Sequence, residues 1–197
     1  MTEWYRNTEW SDEIAAEFER RIERSRTQKA QHLSLQGYHL IRNHPDVARD
    51  LLTRAVEIGD VHETVRARSF LALANLALGQ VEQALDTYEV ALEQQLEQPN
   101  FIAVQPVDYL FLVGWFRRVE RLEVALPISE ALPDEGVFGP DPQLDAAKAL
   151  VFDLARRADD AAKYAARALP QLEGIPDVSA LGIDIAELRD RLTALST

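Results

Sequence analysis

The sequence predicts an all-α fold. Three observations predict it: a helix-favouring vocabulary, apolar residues recurring at helical steps, and start and stop signals set a few residues apart. Of 197 residues, 47% are hydrophobic, while only eight are glycine and nine proline. The chain is instead rich in Ala, Leu, Glu, Gln and Arg, whose side chains lose little freedom on a helix. No stretch reads as a strand. This length and apolar share suffice for one domain, residues 1–197, with a full core.

Ser11 followed by Asp12 and Glu13 marks the first helix, over 12–25. The hydroxyl caps it and the acids meet the positive end of its dipole. Ile14, Phe18 and Ile22 form one apolar stripe, Arg20, Arg21, Arg24 and Arg26 crowd the far end, and Trp4 and Trp10 staple the helix to the body. Thr27 is a candidate cap for a second helix reaching Asn43. Pro45 opens a third that Gly59 closes, and a fourth spans Val61 to Leu78, closed by Gly79. A fifth runs over 81–98. Pro106 starts a sixth to Val119, and Leu122–Leu132 forms a shorter seventh containing Pro127. Residues 133–143, with their prolines and glycines, read as a loop. Helices over 144–156, 159–172 and 184–195 complete the chain.

Several function classes fall away on composition. No cysteine is present, which removes disulfides, thiolate nucleophiles and Cys-ligated metals. The formal charge of −12 argues against nucleic acid or an anionic membrane as partner, since both recruit clustered Lys and Arg. Between Arg68 and Arg117 no basic residue occurs. The start lacks a basic leader followed by an apolar stretch, and the apolar run Tyr109–Phe116 is far short of the ~20 residues of a membrane span, so a cytoplasmic protein is expected.

Helices in pairs call for a search for repeats, and one is present. Ala48 and Ala55 recur as Ala84 and Ala91, then as Ala161 and Ala168, with Ala125 as the single alanine of a damaged copy in which Leu132 stands second. Leu35, Leu71 and Leu112 precede the first alanines at one offset, and Gly37 and Gly114 share another. Small residues in step let paired helices approach closely, and because one pair cannot bury its own apolar face, pairs must stack.

In "SFLALANLALGQVEQALDTYEVAL", Leu71, Ala72, Gly79, Ala84, Tyr88 and Ala91 resemble the tetratricopeptide-repeat signature. The resemblance covers residues 28–172 and implies an α-α superhelix of about four helical hairpins. Segment 1–26 then becomes an N-terminal flanking helix and 173–197 a C-terminal capping helix. The opening segment is also similar to that of uncharacterised bacterial proteins carrying such repeats.

The resemblance places a concave groove on the first helices, with Leu33, Gly37, Leu40, Leu73, Leu76, Leu110, Gly114 and Arg117 at the matching positions. Its occupant is a protein or peptide partner, one of the chain's own terminal helices, or a second copy in a homodimer. Arg117 and Arg118 beside Trp115 are the polar anchors of an open groove. Separately, Glu82, Asp86, Glu89, Glu93 and Glu97 share one helix face, either a solvated surface or a contact for a basic partner.

No catalytic motif is present, and neither a cofactor nor a metal is expected. His32, His39, His44 and His62 lack ligand spacing, and Asp134, Glu135, Asp141 and Asp145 do not fit a calcium loop. The expected function is non-catalytic protein or peptide binding, as an adaptor or scaffold. The alternatives are an acidic immunity-type protein that neutralises a basic toxin, and an enzyme on a helical scaffold.

Overall fold

The computed structural model describes residues 3–61, 63–96, 106–134, 141–174 and 183–196. These residues are all-helical, with no strand among them. In chain order the helices are α1 (Asp12–Arg24), α2 (Lys29–Leu40), α3 (Pro45–Ile58), α4 (Thr64–Ala77), α5 (Val81–Leu96), α6 (Pro106–Trp115), α7 (Leu122–Ala131), α8 (Pro142–Leu154), α9 (Ala158–Ala168) and α10 (Ile185–Leu195). Short 3₁₀ turns at Val119–Arg121 and Leu169–Gly174 precede α7 and follow α9. Where the sequence suggests one continuous stack, the helices gather into two compact units, Met1–Val104 and Gln105–Thr197.

In the first unit α2 packs on α3, α3 on α4 and α4 on α5. The repeated alanines explain how. Ala48, Ala55, Ala84 and Ala91 are all fully buried, so each marks a helix crossing where only a methyl group fits. Gly37 extends the same device to α2, because a β-carbon there would lie 2.6 Å from Leu52 Cγ. Phe18 and Ile22 of α1 join Leu33, Leu40, Leu51 and Leu52 in one core, and Trp4, Tyr5 and Trp10 pack against its edge.

The segment before α1 is held by amide pairing. Asn7 N–H donates to Gln36 Oε1 at 3.1 Å, and Gln36 Nε2 donates back to the Asn7 carbonyl at 2.7 Å. Gln36 is fully buried, so these bonds remove what would otherwise be an expensive orphaned amide.

The second unit is organised differently. α6 packs chiefly on α8, and α8 on α9, while α7 makes the lesser contacts. Gly114 permits the α6–α8 approach: a β-carbon there would sit 2.5 Å from Leu150 Cβ and 3.0 Å from the Leu150 backbone carbon. α7 is only ten residues long and carries Pro127 inside it, a residue that removes one helical hydrogen bond. It ends at Leu132, where the repeat would require its second alanine. α10 packs on α9 and α8.

Three first helices end in one geometry. At α4, Gly79 adopts φ +74°, with Gln80 N–H donating to Asn75 O and Gly79 N–H to Leu76 O, both at 2.9 Å. At α6 the residue in that role is Arg117 (φ +54°), and at α8 it is Arg156 (φ +60°). Arg118 N–H donates to Val113 O at 2.9 Å, and Arg157 N–H to Phe152 O at 2.8 Å. Each is a Schellman closure, the usual site of a left-handed glycine. The turn therefore repeats where the glycine does not.

Several expected boundaries shift. α2 is preceded by Gln28 without a side-chain cap, so Thr27 is not its cap. α4 begins at Thr64 rather than Val61, α6 stops at Trp115 rather than Val119 because the left-handed Arg117 turns the chain, and α8 starts at Pro142, capped by Asp141. Ser11 caps α1 as expected, its Oγ accepting from Ile14 N–H.

Candidate partner-binding surfaces

Most of the expected groove residues are buried. Leu33, Leu40 and Leu110 are fully buried, and Leu76 and Trp115 nearly so. This corrects their assignment as partner contacts. Leu33 and Leu40 share a core with Phe18 and Ile22 of α1, so the chain's own first helix occupies that face. Trp115 is covered from within its own unit: the Arg191 guanidinium of α10 lies 3.9 Å from its ring centroid and donates to its carbonyl at 2.8 Å. Gly37 and Gly114, expected along the groove, are instead close-approach points between helices. Arg117 is exposed and pairs with Asp153 at 2.9 Å, while Arg118 is half-buried at the start of the 3₁₀ turn.

What stays open on the first helices is a smaller apolar patch. Tyr38 of α2, 46% exposed, sets its ring 4.5 Å from that of Phe70 of α4, centroid to centroid. Leu35 lies one turn before Tyr38, and Leu73 one turn after Phe70, both half-buried. Of the expected partner-contacting leucines, only Leu73 is half-buried rather than buried. On α5, Glu82, Asp86 and Glu93 are exposed, Glu89 is half-buried, and Glu97 lies outside the described residues.

The most concentrated polar chemistry sits between α8 and α9. Asp134 accepts from Tyr164 Oη at 2.5 Å, Lys163 Nζ at 3.1 Å and Lys148 Nζ at 3.2 Å. Lys148, whose side chain is only 2% exposed, also donates to the Leu132 carbonyl at 2.7 Å. Arg167 bonds Asp145 Oδ2 at 3.2 Å and the Asp134 carbonyl. Tyr164, then Lys163 and Lys148, hold the Asp134 carboxyl far below the usual carboxylate range. Burial pushes Asp145 the other way, with Arg167 opposing it. Each cation thus has a carboxylate or carbonyl partner, and the cluster ties the end of α7 to α8 and α9.

Asp141 caps α8 by accepting from Gln143 and Leu144 N–H. Glu135 and His62 lie outside the described residues. Among the described residues no group of three His, Asp or Glu side chains could hold a metal, and no helix is long and apolar enough to cross a membrane. His32 stacks on Tyr5 with ring centroids 4.6 Å apart, and its burial lowers its pKa.

A cavity of about 230 Å³ opens beside α1, lined by Trp4, Ile14, Phe18, Glu13, Glu17 and Arg21, together with Asn7. Sequence reasoning missed it. The available signal was Glu13, Glu17 and Arg21 at four-residue steps, one helix face adjoining Ile14 and Phe18. The sequence sets Trp4 against this helix but does not say which of its faces the ring meets.

No protein-family model matches the chain, and neither a curated protein nor a solved structure matches it.

Proposed function

We propose that this chain is a non-catalytic protein- or peptide-binding helical repeat module, an adaptor or scaffold acting in the cytoplasm. The observation that carries this reading is the Tyr38–Phe70 pair. It is an aromatic patch left half-open on the first helices after the repeated alanines have brought the pairs together. Apolar surface rimmed by polar residues marks interaction sites, and tyrosine suits them because it offers a large apolar body with a polar tip. Arg42 and Arg66 lie four residues from Tyr38 and Phe70 along the sequence. With a formal charge of −12, the partner is a protein rather than a nucleic acid or membrane surface.

The test is affinity capture with three baits: the wild type, Tyr38→Glu and Leu73→Asp. A partner retained by the wild type and lost from both variants supports the reading, provided their helicity is unchanged. An identical retained set for all three would overturn it.

A second reading is neutralisation of a basic protein by the exposed acidic face of α5, where Glu82, Asp86 and Glu93 project together. Under it, the association rate with a captured partner falls about tenfold or more as salt is raised, and reversing two of these charges abolishes that dependence.

A further inference from the structure

The cavity beside α1 has the chemistry of a cation receptor. Trp4 presents half-exposed aromatic surface, backed by the buried Phe18 ring with centroids 5.5 Å apart, and Ile14 adds a half-exposed aliphatic side. Glu13 and Glu17 line the same space. A cation within about 6 Å of an aromatic centroid is attracted by the ring quadrupole, most strongly by tryptophan. The site already holds cations of its own: the Arg21 guanidinium lies 5.5 Å from the Trp4 centroid, its Nε donates to Glu17 Oε1 at 2.5 Å, and Arg20 pairs with Glu17 Oε2 at 2.6 Å. Glu13 takes the Ser11 hydroxyl at 2.7 Å, which lowers its pKa and keeps it an anion at neutral pH. At about 230 Å³ the space is below the roughly 300 Å³ of a small-molecule site, and it suits a single inserted side chain.

We infer that this pocket receives a lysine side chain from a basic segment of a partner protein, its methylenes against Trp4 and Ile14 and its ammonium between Glu13 and Glu17. Charge favours that occupant, because the chain as a whole carries −12 and would draw basic segments towards it. Arg20 and Arg21 both hold Glu17, so an incoming ammonium is met chiefly by Glu13 and competes with two arginines for Glu17. The inference stands apart from the Tyr38–Phe70 face and does not depend on it.

The probe is fluorescein-labelled hexalysine, titrated at low ionic strength and followed by anisotropy, with the three tryptophan indole N–H signals followed by NMR. The Trp4 signal should shift selectively. Trp4→Leu should weaken binding about tenfold and Glu13→Gln about threefold, whereas Glu93→Gln, the same charge change on α5, should leave it within about twofold. Arg21→Ala should tighten binding about threefold, and more than Arg26→Ala, which alters the net charge equally. Should Trp4→Leu lose helicity, Glu13→Gln and the indole shifts decide the matter. If Glu93→Gln weakens binding as much as Glu13→Gln, or if the Trp4 signal stays still while hexalysine binds, the ligand is held elsewhere and the inference is overturned. No binding at all overturns it equally.

Discussion

The two units solve one packing problem by different means. In the first, α2 to α5 pair in sequence order, their crossings are lined by buried alanines, and the buried Gln36 is satisfied by backbone. In the second, α6 bypasses the short α7 to reach α8, and an ion cluster around Asp134 and Lys148 fastens what the missing alanine does not. Small residues permit close approach at the intact copies of the repeat. Where a copy is damaged, specific polar contacts take over, and these are more sensitive to single changes.

The sharpest way to break that comparison is at the two buried glycines. Gly114→Ala should cost about 3 kcal/mol, because its methyl would meet the Leu150 β-carbon and backbone, which cannot yield. Gly37→Ala should cost about 1 kcal/mol, because the obstruction is the flexible end of Leu52. Urea unfolding measures both, and equal losses would refute the distinction. Hydrogen exchange should show the Gly114→Ala defect first in α6 and α8.

The ion cluster comes next. Lys148→Met should destabilise by about 2 kcal/mol, since it leaves the Leu132 carbonyl without its donor and Asp134 short of one cation. Arg54→Met in the first unit, which breaks the half-exposed pair with Glu19, should cost under about 1 kcal/mol. A similar loss at both sites would remove the contrast between buried and exposed pairs.

Acid sharpens it further. Asp134 is held below its ordinary pKa, so the folded chain binds fewer protons there than the unfolded chain. Its contribution is therefore complete above the ordinary carboxylate value near about pH 4 and is lost progressively below it. Asp145, raised by burial, acts in the opposite sense: the fold disfavours its ionised form, so its contribution declines as pH rises. The urea midpoint of the wild type should fall between neutral and acid pH more steeply than that of Asp134→Asn. Parallel curves would show that the Asp134 contacts add nothing.

The smallest effect concerns the turns. Gly79→Ala should cost about 1 kcal/mol, because alanine resists a left-handed backbone. Arg156→Gly should gain about 0.5 kcal/mol, because it relieves the same conformation in an exposed residue. Thermal unfolding of both variants checks the sign.

Much of the fold was legible in the chain because its signals are local. Ser11, Pro45, Gly59, Gly79 and Pro106 act within a turn of themselves, so helix existence and most ends follow from them. The α6 terminus was not legible, because Arg117 takes a glycine's conformation without being one. The site was barely legible. The resemblance sets Leu33, Leu40 and Leu110 on a groove wall, yet an apolar pattern states only that a face is covered, not by what. The lysine pocket needs Trp4 on the Glu13–Glu17 face of α1, and the sequence, which sets Trp4 against that helix, does not say which face it meets.

By itself, the sequence determined that this protein is helical, where most helices begin and end, and that alanines recur at the helix contacts, because caps, propensity and periodicity act over a few residues. Only the tertiary structure decided that the helices gather into two units and that Phe18 and Ile22 join Leu33 and Leu40 in one core. It also decided that Gly114 brings α6 onto α8, and that Trp4 and Glu13 line one cavity. Those outcomes depend on which apolar faces meet, a competition among all faces at once that no local pattern records.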